Sequence, residues 1–319
     1  MSRPPHQVIY THGGGRLGNQ VLRFAHWLAW AMEQRGAIEV RNLAFWPYAA
    51  HFATWRAHPG CVFPLRSDRW DGLARGCRGL PDWLRRRVDW RLQRAIHARG
   101  ARRPGWQAVT LDVAAGETLD LGGPAFAQKV AAAGTTTCAG WRITDWAALA
   151  RQQDAVRDLL QPARNHATRA ALLVGGLRQR HGFVIGVHLR QGDYREWHDG
   201  RFHFSPACYR EWIRQATALH APQNPAVVVV SDAPVADIAA GDRHVFRADT
   251  CCAMDDWTIL SLCDVILGPP STFPATAAFV GRRPLWPLVR ADQALERTQI
   301  IGDGLLGAAR HPEFSLAVR

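Results

Sequence analysis

Residues Phe183 to Tyr194 read FVIGVHLRQGDY, a short apolar run that stops at His188-Leu189-Arg190 and passes into Gln191-Gly192-Asp193-Tyr194. An apolar run of this length, rich in β-branched residues, suits a buried strand. Side chains just beyond the carboxyl end of such a strand stand where open α/β sheets bind ligands. Arg190 would present a planar, permanently charged guanidinium there, a shape matched to bidentate capture of phosphate. The same residues allow a plainer arrangement, an arginine–aspartate pair that staples the loop.

Strand-and-helix alternation extends on both sides of this segment. Upstream, Trp146 to Arg180 reads as a long helical stretch broken near Pro162, which predicts a junction between domains at 1–165 and 166–319. Downstream, Ser205 is placed to cap a helix running to Leu219, with Pro206 in its first turn. Ala226 to Val230 is a buried strand ending at Ser231-Asp232, and Val245-Phe246 a further short one. Asp256 to Cys263 reads as a helix, Val265 to Leu267 as a strand, Pro269 to Phe273 as a loop and Pro274 to Val280 as a closing helix.

The amino terminus repeats the alternation. Val8 to Thr11 is a strand, Gly13 to Gly18 a glycine loop, Asn19 to Gln34 a helix, and Ala37 to Val40 a second strand. Asn19 is placed to cap that helix, whose apolar positions Val21, Phe24, Ala25, Leu28 and Met32 share one face. Residues from roughly 45 to 125 carry many Pro, Gly, Trp and Arg with weak periodicity, and predict no definite elements. The expectation is α/β, with two Rossmann-like halves facing a cleft.

Composition narrows the class. The 319 residues are 47% hydrophobic and 21% charged, as in a soluble globular protein. No run approaches the roughly 18 apolar residues that would cross a bilayer. The amino terminus has no secretory signal pattern, so an unprocessed cytoplasmic chain is expected. Seven cysteines in irregular spacing, with no Cys-x-x-Cys, predict reduced thiols, and the scattered histidines predict no metal. The net charge of +12 is local: between Arg66 and Arg103 twelve arginines face four aspartates. That segment is either a solvated basic surface or a patch lying on anionic lipid, with Trp83 and Trp90 as anchors. No nucleic-acid-binding module accompanies it, so nucleic acid is not an expected partner.

Two constellations carry chemistry. Gly13-Gly14-Gly15-Arg16-Leu17-Gly18 satisfies Gly-x-Gly-x-x-Gly, and Glu39 follows about where a ribose-binding acid belongs, which opens a dinucleotide-dependent oxidoreductase reading. Its continuation into Asn19-Gln20 puts two amides at a helix entrance, suited to an anion or a polar sugar. In the second half, three strand ends are predicted to converge: His188, Arg190 and Asp193; then Ser231 and Asp232; then Ser271 and Thr272 with Phe273. One guanidinium, several hydroxyls and backbone N–H groups near a helix start compose a metal-free diphosphate site. No Asp-x-Asp occurs to hold a divalent ion against a nucleotide diphosphate.

These residues resemble family 11 glycosyltransferases, the α-1,2-fucosyltransferases. Gly14-Gly15-Arg16-Leu17-Gly18-Asn19-Gln20-Val21 is similar to the family's Gly-Gly-Leu-Gly-Asn-Gln opening, with Arg16 inserted. Val187-His188-Leu189-Arg190-Gln191-Gly192-Asp193-Tyr194 resembles its His-x-Arg-Arg-Gly-Asp-Tyr segment, and Asp256 through Ser271-Thr272-Phe273 resembles its third block. The resemblance implies a GT-B fold and inverting, metal-independent transfer of fucose from GDP-fucose to a glycan hydroxyl. It places Arg190 on the β-phosphate and His188 at the same strand end. Ser271 and Thr272 fall near the phosphates, while Gly15, Gly18, Asn19 and Gln20 line the cleft. Glu196, with His198 and Asp199, is the cluster nominated for a base. A lipid-linked acceptor would give the basic segment a membrane-facing role. The chain departs from the pattern at Gln191, where a second arginine is usual, at Pro270, where Asn is usual, and at Pro274-Ala275-Thr276, where tryptophans are usual. A non-catalytic sugar-nucleotide-binding protein is the alternative these departures allow.

Overall fold

A computed structural model describes residues 6–53, 61–62, 82–112, 116–233, 238, 244–248, 250, 252–302 and 304–312. Much of the basic segment, residues 66–81, lies outside the described residues. The fold has two compact units, Met1–Gln161 and Pro162–Arg319.

In the first unit, β1 (His6–His12) leads through a glycine loop to α1 (Leu17–Glu33) and β2 (Ile38–Asn42). Then come β3 (Cys61–Val62), α2 (Asp82–Gly100), β4 (Trp106–Thr110), β5 (Thr118–Asp120) and α3 (Pro124–Ala132). β6 (Thr135–Ala139), β7 (Arg142–Thr144), α4 (Trp146–Arg151) and α5 (Gln153–Leu159) complete it. The main sheet has the order β3-β2-β1-β6-β4, every pairing parallel, with β5 and β7 forming a separate parallel pair.

The helix after the glycine loop starts at Leu17, earlier than the sequence suggests. Arg16 is its N-cap, which leaves Asn19 in the first turn rather than at the cap. α1 is also buried nearly all round, so Gln20, Arg23 and His26 are taken inside with the apolar face. The sequence predicts no definite element at α2 because its apolar stripe, Leu84, Val88, Leu92 and Ile96, is narrow and set among many arginines.

The second unit opens with α6 (Arg164–Arg178) and β8 (Phe183–Leu189), followed by α7 (Pro206–Leu219), β9 (Pro225–Ser231) and β10 (Val245–Arg247). α8 (Ala253–Leu262), β11 (Val265–Gly268), α9 (Thr272–Gly281), β12 (Leu285–Pro287) and α10 (Gly304–Arg310) follow. Strand order is β10-β9-β8-β11-β12, again entirely parallel. Parallel strands are covered on both faces, which is why β9 is a continuous apolar run and not an alternating one. Ser205 caps α7, accepting from the Cys208 N–H at 3.3 Å. The closing helix begins at Thr272, so Thr272 and Phe273 belong to its first turn and not to the preceding loop.

Ile185, Val187, Val227, Val229 and Leu267 from neighbouring strands pack with Trp212, Tyr209 and Trp286 into one core. Each such fully buried side chain contributes roughly 1.5–3 kcal/mol. The Trp212 indole N–H donates to the Gln293 carbonyl at 3.0 Å, so this large ring leaves no donor unsatisfied. That core fixes β8 between β9 and β11, and so fixes what stands at their carboxyl ends.

Candidate functional site

β9, β8 and β11 are adjacent and parallel, so the three strand ends singled out in the sequence meet along one edge. Arg190 is the first residue past β8. Its side chain is 12% exposed and carries two ion pairs, Nη1 to Asp232 at 3.1 Å and Nη2 to Asp193 at 2.6 Å. Its Nε is buried with no hydrogen-bond partner. The guanidinium also lies over the Tyr194 ring, 5.2 Å from its centroid. Here the plainer arrangement is present in full: Arg190 does staple the loop.

The two carboxylates differ. Asp232 has a side chain 15% exposed and is fixed by backbone as well, accepting from the N–H groups of Gln191 (2.8 Å) and Gly192 (3.2 Å). Burial pushes its pKa up, but the Gln191 N–H, Arg190 and the Gly192 N–H outweigh that and hold it below its ordinary value. A Cβ at Gly192 would stand 2.5 Å from the Asp232 carboxylate, so only glycine lets the loop close on this residue. Asp193 has a side chain 50% exposed. One partner is built in, and the other stands at the surface.

Beneath the arginine, the buried His188 ring stacks on Phe273 with centroids 4.8 Å apart. Burial first, and the Arg190 charge second, lower its pKa to about 3, so it is neutral at working pH. Its Nδ1 has no partner. The Tyr194 hydroxyl donates to the Pro270 carbonyl at 2.7 Å and lies beside Ser271, tying the loop after β8 to the loop after β11. Ser271 caps α9, accepting from the Phe273 N–H at 3.3 Å. Thr272 is buried in the first turn. Ser231 closes a turn by accepting from the Ala233 N–H.

Gln191, which replaces the expected arginine, is used structurally, its amide donating to the Phe204 carbonyl at 2.8 Å. Glu196, between two short 3-10 turns, and His198 and Asp199, on the second of them, lie exposed. His198 and Asp199 have left-handed backbone (φ 48° and 55°), a conformation that costs a non-glycine residue energy.

In the first unit, the glycine loop follows β1. Gly14, at φ 62°, turns its carbonyl onto Gln20 Nε2 (2.8 Å) and the Arg23 guanidinium. Gly15 is at φ 76°, and a Cβ there would meet the Asn19 side chain at 2.6 Å. Gly18 is buried in the first turn of α1. Glu39 is not where a ribose acid must be. β2 runs on to Asn42, so Glu39 sits at its amino end, level with Gln7, while the glycine loop lies at the carboxyl end of parallel β1. It is occupied by Gln7 Nε2 (2.9 Å) and Arg41 Nε (2.5 Å). The sequence placed it at a strand end because the strand was read two residues short.

Two arrangements were out of reach of the sequence. Asp256 accepts from Thr250 at 2.7 Å, and burial with the nearby charges of Asp255 and Asp232 raises its pKa to about 6. His166, Cys252 and Asp255 bring one potential ligand atom each within 4.8 Å of one another, a donor set that could hold a metal. Asp255 is already bonded to His166 at 2.7 Å and to Arg169 at 3.4 Å, as in an ordinary buried network. Among the described residues no helix is long and apolar enough to cross a membrane.

No protein-family model and no curated protein sequence match this chain. Its fold is similar to that of solved fucosyltransferases. A mutant of Arabidopsis thaliana FUT1 in complex with GDP aligns with a TM-score of 0.53 and 14% identity, covering 89% of this chain and 71% of that one. The fucosyltransferase NodZ from Bradyrhizobium aligns at 0.50 with 17% identity over 90% of this chain and 97% of its own. POFUT1 in complex with GDP aligns at 0.50 with 12% identity over 89% and 99%. The architecture is α/β of the GT-B type, built from two Rossmann-like units.

Proposed function

We propose that this chain is a GT-B glycosyltransferase that takes fucose from GDP-fucose and transfers it, with inversion and without a metal, to a hydroxyl of a glycan acceptor, in the manner of α-1,2-fucosyltransferases. The observation that carries this reading is Arg190 at the carboxyl end of β8, with one fixed counterion and one exposed one. A nucleoside diphosphate displaces Asp193 and takes its place on Nη2, while Asp232 keeps the guanidinium aimed. The fold's likeness to fucosyltransferases that bind GDP supports the choice of donor.

The chemistry follows from charge. As the bond between the sugar and the β-phosphate oxygen breaks, its electron pair passes to that oxygen. A preorganised guanidinium stabilises the growing charge where other transferases use a cation. The capped start of α9 adds N–H groups at the same edge. The acceptor hydroxyl attacks the opposite face of the sugar carbon and gives up its proton, for which Glu196 is the nominated base. Gly15, Gly18, Asn19 and Gln20 are assigned a polar-sugar-binding role in the first unit. The acceptor proposed is a glycan, or a lipid-linked glycan presented at the inner face of the cytoplasmic membrane.

One observation favours a second reading. Both terminal nitrogens of Arg190 are engaged by carboxylates, as in a protein that binds a sugar nucleotide without turning it over, or not at all. Calorimetric titration with GDP and NADH, followed by hydrolysis and transfer assays over a panel of GDP- and UDP-sugars, separates the readings. The proposal requires GDP binding, no NADH binding and turnover of GDP-fucose that Arg190→Lys depresses, since a point charge does not reproduce the guanidinium fork. Equal turnover by wild type and Arg190→Lys would remove the assigned role.

A further inference from the structure

The first unit holds a cavity of about 710 Å³ that the glycosyltransferase reading does not use. It lies between the second half of α2 and the face of the sheet formed by β1 and β2, and its lining is mostly apolar. Buried Ile9 of β1 and Leu43 after β2 line it, as does Ile96 of α2. Trp106, the first residue of β4, lines it too. Volumes of 300–1,000 Å³ are typical of small-molecule sites.

The lining is also strongly charged. Arg99, Arg102 and Arg103 are part of it, and no carboxylate among the described residues pairs with any of them. Arg103 is held in position by stacking on Trp106, its Cζ 4.8 Å from the ring centroid. Arg41 also lines the cavity, but Glu39 neutralises it at 2.5 Å. A largely apolar cavity that also carries three guanidinium groups, none paired with a described carboxylate, has the polarity of an amphiphile turned inside out. The chamber suits a hydrocarbon chain. The fork geometry of arginine suits the oxygens of a phosphate more than a single carboxylate.

We infer that this cavity binds a single-chain lipid bearing a phosphate or diphosphate head, with the chain against Ile9, Leu43 and Ile96 and the head between Arg99, Arg102 and Arg103. The inference stands whether or not Arg190 holds a nucleotide, since the two sets of residues belong to different units.

Calorimetric titration of the full chain with dodecyl phosphate below its micellar concentration tests it. Dodecyl maltoside serves as the neutral amphiphile, sodium phosphate as the free anion and phosphatidylglycerol vesicles as the bilayer. The expected result is saturable binding of one dodecyl phosphate per chain, with the maltoside and sodium phosphate each at least about tenfold weaker. Arg102→Glu with Arg103→Glu should weaken dodecyl phosphate roughly tenfold or more, by removing two charge-assisted contacts, and leave GDP binding unchanged. Ile96→Asn, checked by thermal melting, should weaken it through the chain. Binding of sodium phosphate as tight as that of dodecyl phosphate would mean an anion site only. Equal binding of the maltoside would mean a neutral apolar pocket, and binding to vesicles alone would mean a membrane-surface patch. Each of these, or no effect of the charge reversals, overturns the inference.

Discussion

Arg23 and Arg190 are both arginines covered by protein beside a loop that follows a strand, one on α1 and one just past β8, and they are held in opposite ways. Arg190 sits between two carboxylates, one fixed by backbone and one at the surface. Arg23 is 3% exposed, and no carboxylate among the described residues pairs with it. Its guanidinium donates to the carbonyls of Gly14 and Trp141 and lies over the Trp141 ring, 5.1 Å from the centroid. Burial lowers its pKa, and carbonyl dipoles with an aromatic face replace the lost water. A cation bonded to backbone carbonyls has no carboxylate to exchange, so it clamps the glycine loop. A cation satisfied by an exposed carboxylate can trade that partner for a ligand's oxygen. Burial does not separate the two roles, but the identity of the partners does.

The largest effect expected is on catalysis. Arg190→Ala should lower turnover of GDP-fucose about a hundred- to a thousand-fold, read by donor hydrolysis, with a smaller loss of thermal stability. A loss of stability with turnover intact would make Arg190 the clamp and collapse the contrast.

Arg23→Met should do the reverse. It removes the guanidinium's bonds to the Gly14 and Trp141 carbonyls, with Gln20 Nε2 still on Gly14, and should cost about 1.5–3 kcal/mol by denaturant unfolding, while GDP affinity, which the proposed function sets in the other unit, stays within about twofold. A selective loss of GDP binding would show that Arg23 is more than a clamp.

Each arginine has a buried histidine nearby, and these set the pH dependence. His188, at about 3, and His26, at about 4, are both depressed, chiefly by burial, from an ordinary 6.5. Between these values the unfolded chain binds more protons than the folded one, so stability is full above pH 6.5 and falls as pH drops below it. At pH 5 each histidine should withdraw about 2 kcal/mol. Measured by urea unfolding at pH 7 and pH 5, His188→Gln should remove about half of the combined histidine loss. An unchanged slope would mean that His188 is not buried neutral.

The smallest effect concerns Asp256, whose pKa is raised to about 6. A raised carboxylate stabilises the fold below its unfolded value of 3.8 and loses that contribution as pH rises through 6. Asp256→Asn should therefore gain on wild type between pH 5 and pH 7 by about 1 kcal/mol or less, since the group is part-solvated.

What the sequence disclosed was local. β8 and β9 were legible because a buried parallel strand is a continuous apolar run, and the start of α7 because Ser205 and Pro206 carry the cap chemistry themselves. The meeting of Arg190 with Asp232 was legible only as neighbouring strand ends. That the aspartate is paired to the arginine depends on Gly192 admitting a carboxylate at close range. Glu39 went astray because a strand boundary two residues out moves a side chain from one end of the sheet to the other. The burial of Arg23 has no sequence signal, since nothing local says that the face of α1 opposite its apolar stripe is buried too. The His166–Asp255 pair joins positions 89 residues apart, which no spacing rule reaches.

The parallel sheet of the first unit also sets a timetable for synthesis. β1 is its central strand, yet the partner on one side, β6, pairs Gln7 with Thr135, 128 positions later. At about 5–20 residues per second on the ribosome, an emerging β1 waits roughly 6 to 25 seconds for that neighbour. Through that interval it presents an open row of amide and carbonyl groups flanked by Val8, Ile9 and Tyr10. Slowed translation between β2 and β6 therefore lengthens the exposure of an adhesive edge. Yield in a heterologous host should respond more to codon choice across residues 43–134 than across the second half of the chain, where central β8 has its later neighbour, β11, after 80 positions, Ile185 pairing with Val265.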